Sequence, residues 1–208
     1  FSGPESFTPD TNTLLGEVPE VKNFFVCCGL NSIGIGSGGG VGKATAEWMI
    51  NGHINEDIFN YDIKRFQKFH SDLGFIKERI TESLGDLYGM HWPFKQHKTS
   101  RNIKTLPYHE NLKSFGACFG VSAGYERPMW FALDGKKAEY EYSYNYQNWY
   151  PSVEYETTNT VKNVGLFDLT SFSKFEIISD KAHDELQRIC TANIKNEIGK
   201  CTYTHMLN

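Results

Sequence analysis

Six glycines fall within nine residues at Gly34, Gly36, Gly38, Gly39, Gly40 and Gly42. The apolar run Phe24-Phe25-Val26-Cys27-Cys28-Gly29 precedes them, and Ala44-Thr45-Ala46-Glu47-Trp48-Met49-Ile50 follows, stopping at Asn51-Gly52. A strand entering a run of small residues that opens a helix is a device for one kind of chemistry. Glycines let backbone N–H groups come close to a ligand, and a helix N-terminus adds the positive end of its dipole. Such a loop cradles an anionic or electron-rich group, a phosphate or a reduced flavin.

Two phosphate readings fail on spacing. A nucleoside-triphosphate loop needs Gly, four residues, then Gly-Lys-Ser/Thr. Counting back from Gly42-Lys43 puts Ser37 where the first glycine belongs and Ala44 where the hydroxyl belongs. The dinucleotide pattern G-x-G-x-x-G is met literally by Gly34, Gly36 and Gly39, which carries little information in so glycine-rich a stretch. That fold also requires a second strand ending in an acidic residue that takes the ribose. The continuation His53-Ile54-Asn55-Glu56-Asp57-Ile58-Phe59 is polar and broken, which argues against it.

Other reactive side chains are scattered. His91, His97 and His109 lack i, i+4 spacing and a carboxylate pattern, so they read as loop or surface histidines rather than metal ligands. Five cysteines (27, 28, 118, 190 and 201) form an odd, irregular set, which points to a reducing compartment. Tyr140, Tyr142, Tyr144 and Tyr146 alternate, placing four phenols on one face of an expected strand. With little positive charge nearby, that strand reads as a linker rather than a stacking platform. In Glu126-Arg127-Pro128 the arginine is expected to be pinned by a carboxylate rather than to touch a ligand.

The elements that must position these residues follow from pattern. The chain has 208 residues, 39% of them hydrophobic and 14% aromatic, enough for one large domain or parts of two. A net charge of −4 leaves no footprint for nucleic acid or an anionic membrane, and no run is long enough to span a bilayer. Strands are expected at 23–30, 115–121, 125–131 (bent at Arg127-Pro128), 172–178 and 199–207, and helices at 40–51, 72–88, from 152, and at 180–192. In the helix at 72–88, Leu73, Ile76, Ile80, Leu84 and Leu87 mark the buried face. A domain boundary is expected within 132–150. The chain starts at Phe1 rather than Met and stops just after an apolar segment, which predicts an internal piece of a longer protein.

Several segments, in order, resemble the dimethylglycine dehydrogenase and sarcosine dehydrogenase family, whose relatives include the regulatory subunit of pyruvate dehydrogenase phosphatase. They are Ser2 to Asp10, Gly29-Leu30-Asn31-Ser32-Ile33-Gly34, Gly38 to Gly42 with Ala46-Glu47-Trp48-Met49, and Tyr61 to Phe66. Gly124 to Phe131, Phe167 to Phe175 and Tyr203 to Asn208 continue the series. The resemblance covers essentially the whole chain. It implies a mixed α+β fold: the end of an FAD amine-oxidase-like domain, then the start of a T-protein-like folate-binding domain. By residue it implies the end of the FAD domain at 1–60, the family's central segment at 61–131, a linker strand at 132–150 and the start of the folate domain at 151–208.

The implied activity of the full-length protein is flavin-dependent oxidative N-demethylation of sarcosine or dimethylglycine, with FAD and tetrahydrofolate as cofactors and the fragment alone inactive. A non-catalytic regulatory subunit on the same scaffold is the alternative. The resemblance assigns Gly29, Leu30, Asn31, Ser32, Ile33, Gly34 and Ile35 to the flavin. Gly34 is taken as a candidate left-handed position. Tyr203 and Met206 fall on opposite faces of a regular strand, and Met206 is assigned to folate. Some relatives carry His and Lys near Ile33 and Gly36; both positions here are non-ionisable, so a substrate carboxylate must be anchored elsewhere. An electron-transfer flavoprotein is the implied redox partner. The implied location is the mitochondrial matrix in a eukaryote and the cytoplasm in a bacterium.

Overall fold

The computed structural model describes residues 2–54 and 57–207, which divide into two compact units, one up to Ser171 and one from Phe172. The first unit opens with an antiparallel hairpin of β1 (Leu14–Glu17) and β2 (Phe25–Cys28), with Leu15 facing Cys27. Leu15 is the pivot of this layer, at 1% exposure. Helix α1 (Gly34–Asn51) packs on the hairpin through Ala44, Thr45 and Trp48. The approach is close because residue 16 is glycine, at φ +108°; a Cβ there would lie 2.5 Å from the Trp48 ring. Trp48 also meets Phe25 edge-on, with centroids 6.3 Å apart.

Helix α2 (Leu73–Asp86) starts where the Asp72 carboxylate accepts from Phe75 N at 2.9 Å, an N-cap that satisfies one orphan donor. Its buried residues are Phe75, Arg79 and Ser83, not the expected apolar face: Leu73 is 80% and Leu84 43% exposed. Polar anchoring explains the rotation. Ser83 Oγ donates to Pro9 O at 2.7 Å and Arg79 Nη2 to Thr99 O at 2.6 Å, so the two polar side chains are drawn inward by backbone carbonyls. Ile76 and Ile80 line a cavity of about 670 Å³ instead.

Helix α3 (His109–Ser114) leads into β3 (Ala117–Ser122) and β4 (Tyr125–Phe131), an antiparallel hairpin turning at Ala123 (φ 50°) and Gly124 (φ 81°). Two consecutive left-handed residues match the twist of such a turn. The expected bend at Arg127-Pro128 is a β-bulge: Cys118 faces Trp130 and Phe119 faces Pro128, leaving Met129 extra. A bulge accommodates proline, which has no N–H for the ladder.

The segment 132–150 is not a strand. Its tyrosines divide among different aromatic partners, two of them staying together. Tyr140 and Tyr142 stack at 5.6 Å, and both meet Trp149 edge-on. Tyr144 lies on Trp92 and Tyr146 on Tyr150, both at 4.8 Å. Helix α4 (Tyr150–Lys162) follows, with Pro151 in its first turn, where a missing N–H costs nothing.

The second unit contains α5 (Ala182–Ile189). The strand expected at 172–178 is absent, and 199–207 contributes a single antiparallel bridge between Cys190 and Met206. A strand exists only with a backbone partner. Among the described residues none pairs with 172–178, where Phe175 is 87% and Ile178 85% exposed.

Candidate functional site

The glycine-rich junction is built from the backbone outward. After β2 the chain turns through Gly29 (φ 65°), Asn31 (φ 47°) and Ser32 (φ 66°). Asn31 is 3% exposed, and its side chain locks the turn. Its Oδ1 accepts from Thr8 N at 2.8 Å and its Nδ2 donates to Gly29 O at 2.6 Å. Asn31 N donates in turn to Ser6 O at 3.2 Å. Glycine is required at 29, where a Cβ would stand 2.6 Å from Thr8 Cγ2 in a left-handed backbone. Asparagine tolerates that conformation better than most residues, which suits Asn31 to both roles.

Helix α1 begins at Gly34, six residues before the expected start at 40, so most of the glycine run is helical. The seven candidate flavin residues therefore fall into a rigid turn, Gly29 to Ile33, and the first helical residues, Gly34 and Ile35. Gly34 is not left-handed, contrary to expectation; it has ordinary helical backbone because the reversal is completed at Ser32. The N-cap, Ile33, offers no side-chain cap, and the first turn holds no acidic residue. Among the described residues no acceptor takes the N–H groups of Gly34, Ile35 and Gly36. Ile33 is 53% exposed and Ile35 fully so.

A Cβ at Gly36, Gly38, Gly39, Gly40 or Gly42 would meet no heavy atom within 4 Å. Glycine in a helix costs about 1 kcal/mol against alanine, so these five together cost about 5 kcal/mol. Among the described residues nothing requires that cost. A face without side chains, ending in three free donors and the positive helix end, fits a flat, electron-rich group lying against the backbone. A cavity of about 370 Å³ beside it is lined by Ile33, Gly36, Gly40 and Lys43.

Met206 is 61% exposed in the second unit, its place fixed by Leu207 N donating to Ile189 O at 2.9 Å. Tyr203, its alternative, is 89% exposed. The carboxylate of Glu126 in Glu126-Arg127-Pro128 pins a second arginine, Arg101. Arg101 Nε and Nη2 reach Glu126 Oε1 and Oε2 at 2.7 and 2.5 Å, and Asn102 N adds a bond at 2.8 Å. Burial alone would raise the Glu126 carboxyl; the Arg101 and Asn102 donors and the Arg101 charge outweigh it and hold the group below its ordinary value.

Sequence reasoning missed two groupings that only tertiary folding creates. His97 comes together with Glu82 and Asp86, their ligand atoms within 4.8 Å of one another. Both carboxylates have structural duties: Glu82 takes Lys98 N at 2.7 Å and Thr99 N at 2.9 Å, and Asp86 pairs with Lys95 at 2.6 Å. His109, expected as a loop or surface residue, opens α3, is 6% exposed and lies over the Phe119 ring at 4.1 Å. Cys118 is buried, and burial pushes its thiol up to about 11, which makes it an inert core residue. No described helix is long and apolar enough to cross a membrane.

Residues 51–105 match the FAD dependent oxidoreductase central domain, and residues 108–208 match the GCVT N-terminal domain. The chain is 42% identical over 208 residues to 4-methylaminobutanoate oxidase (formaldehyde-forming) of Paenarthrobacter nicotinovorans, covering 100% of this chain and 25% of that protein. It is 34% identical over 210 residues to the mouse mitochondrial pyruvate dehydrogenase phosphatase regulatory subunit, covering 99% and 24%. With mouse mitochondrial sarcosine dehydrogenase the identity is 33% over 231 residues, covering 99% and 25%. The chain thus spans about a quarter of the length of these curated relatives. With an FAD-oxidoreductase central domain running into a GCVT domain, and relatives of this kind along its whole length, the chain belongs to the dimethylglycine dehydrogenase and sarcosine dehydrogenase family.

Proposed function

We propose that the intact protein is an FAD-dependent oxidoreductase that demethylates a small N-methylated amino acid and passes the one-carbon unit to tetrahydrofolate. Residues 29–36 would hold the pyrimidine end of the flavin. The observation that carries this reading is the bare glycine face of α1, which costs helix stability and where an added Cβ would meet no heavy atom of the described residues within 4 Å. Bound FAD supplies the hydride acceptor. The chain's own contribution is electrostatic. The N–H groups of Gly34, Ile35 and Gly36, with the helix dipole behind them, would stabilise negative charge at the ring edge they face. The absence of an acidic residue from the first turn leaves that field uncancelled. Asn31 keeps the donors fixed, so no reorganisation accompanies the charge. The domain limits 1–60, 61–131 and 151–208 belong to this proposal, as does an electron-transfer flavoprotein as redox partner.

Similarity to the phosphatase regulatory subunit favours a second reading, a non-catalytic subunit on the same scaffold. The visible spectrum of the full-length protein separates the two. A flavin band bleached by sarcosine, dimethylglycine or 4-methylaminobutanoate is the expected result, and the best of the three identifies the substrate. A protein with no flavin band, or a band that none of the three bleaches, supports the regulatory reading.

A folate role for Met206 is also part of the proposal, since a thioether adapts to a flat ring and this side chain is 61% exposed here. In the full-length enzyme Met206→Ala is expected to weaken tetrahydrofolate binding while flavin reduction by substrate keeps its rate. Unchanged folate affinity, or equal damage to both half-reactions, returns Met206 to a packing role.

A further inference from the structure

Arg79 is a buried cation with no carboxylate in ion-pair contact, although the Glu82 and Glu126 charges favour its charged form from farther away. It is 7% exposed, and no carboxylate oxygen among the described residues comes within ion-pair distance of it. Its Nη2 donates to Thr99 O at 2.6 Å, and its Cζ lies 5.1 Å from the Phe75 ring. Its Nε–H is buried with no acceptor at all. Buried charges are normally paired, so a guanidinium that lines a cavity with no ion-pair contact of its own calls for an anion.

The cavity is present. Arg79, His70, Arg65 and Asp10 line a space of about 300 Å³ with Phe66 and Phe75. Asp10 and Arg65 are committed to each other through two bonds, Nε to Oδ2 at 2.7 Å and Nη2 to Oδ1 at 3.1 Å. His70 is not. Gln67 N donates to its Nδ1 at 2.9 Å, which makes Nδ1 the acceptor and puts the ring proton on Nε2. No acceptor among the described residues takes that proton. The His70 ring is held flat against Phe69, centroids 3.9 Å apart, and edge-on to Phe75 at 5.1 Å. Burial lowers the pKa of this imidazole, outweighing the Gln67 hydrogen bond and the Asp10 charge, which raise it, and the Arg79 and Arg65 charges add to the lowering.

We propose that this cavity binds the carboxylate of a small organic acid, with Arg79 as its charge partner and His70 Nε2–H as a second donor. One guanidinium edge and one neutral N–H suit a monoanion, while the neighbouring Asp10 carboxylate disfavours a dianion such as phosphate. An apolar tail also has a place. The adjoining cavity of about 670 Å³ shares Pro9, Phe66 and His70 with this one and is lined beyond them by Leu14, Ile76 and Ile80. The site is separate from the glycine face of α1 and does not depend on the flavin reading.

The test is calorimetric titration of the full-length, flavin-loaded protein with sodium butanoate and with inorganic phosphate at equal ionic strength. Saturable butanoate binding is expected, with phosphate weaker. Arg79→Gln is expected to weaken butanoate by at least about tenfold, because a charge-assisted hydrogen bond is lost. Arg79→Lys, which keeps the charge, should retain part of the affinity. His70→Phe, which keeps the ring stacking and loses the donor, should weaken binding severalfold, and it carries the test if Arg79→Gln does not fold. Phosphate binding as tightly as butanoate overturns the carboxylate assignment. Absence of saturable binding, or butanoate binding that shifts the flavin spectrum and ignores both positions, overturns the site.

Discussion

Glu126→Gln is expected to destabilise the protein by about 3 kcal/mol, the lower end for breaking a buried ion pair. The lower end applies because Arg101 keeps 24% exposure while Glu126 keeps 2%, so solvent screens one partner only. The amide retains the shape but turns one of two acceptors into a donor facing the Arg101 guanidinium. The loss spreads because Arg101 is a hub: it also donates to His97 O and Phe119 O, both at 3.1 Å, tying the 97–102 loop to β3. The pH dependence has a definite sign. The folded Glu126 carboxyl lies below its ordinary 4.5, so its contribution is complete above that value and is lost as pH falls through the lower, folded pKa. Denaturant melts of the full-length protein at neutral pH and below pH 4.5 should therefore show a wild-type acid loss that Glu126→Gln lacks in part. As a control, Glu110→Gln, at a site 81% exposed, should stay within about 0.5 kcal/mol. A Glu126→Gln loss below about 1 kcal/mol would show that the pair is dispensable.

That pair also marks the limit of what residue types and spacing reveal. The expectation at this tripeptide concerned Arg127, while its Glu126 engages an arginine from 25 residues earlier, which no local pattern announces. In a strand, adjacent residues face opposite sides, so Glu126 and Arg127 take their partners from different surfaces. Periodicity likewise placed α2 correctly within two residues while missing which face turns inward, because backbone carbonyls at Pro9 and Thr99 capture Ser83 and Arg79. Glycine content misled in the opposite sense. Propensity argues for a loop through residue 39, yet α1 starts at Gly34, since Ala44, Thr45 and Trp48 packing on the hairpin extends the helix backward. The tyrosine alternation shows the same limit. A period of two is a strand signal only if a partner strand exists, and here Trp92, Trp149 and Tyr150 disperse the rings. What was legible was the order of elements and the strand, turn and helix around Gly29 to Gly42, where each local choice agrees with the fold.

Gly29 and Gly34 should separate a structural glycine from a functional one. Gly29→Val forces a β-branched residue to φ 65° and sets its Cβ 2.6 Å from Thr8 Cγ2, so it is expected to lower stability by about 2 kcal/mol or more. Gly34→Val has neither problem. Its backbone is helical, and the nearest atom to its Cβ is Leu30 Cδ1 at 3.1 Å, the far end of a flexible side chain. Valine is also a better helix residue than glycine, so stability should stay within about 1 kcal/mol of wild type. Its branched methyl groups would nevertheless stand beside the free N–H groups of the first turn, where the flavin edge is proposed to lie. The full-length Gly34→Val protein is therefore expected to melt normally while losing most of its flavin absorbance, or reducing the remainder far more slowly with substrate. The visible band relative to protein absorbance, read beside a thermal melt of the same sample, checks both halves. Full flavin content with unchanged turnover would remove this helix start from the site. A melt lowered as far as that of Gly29→Val would instead make Gly34 a packing residue in the intact protein, its open surroundings here filled by the rest of the chain.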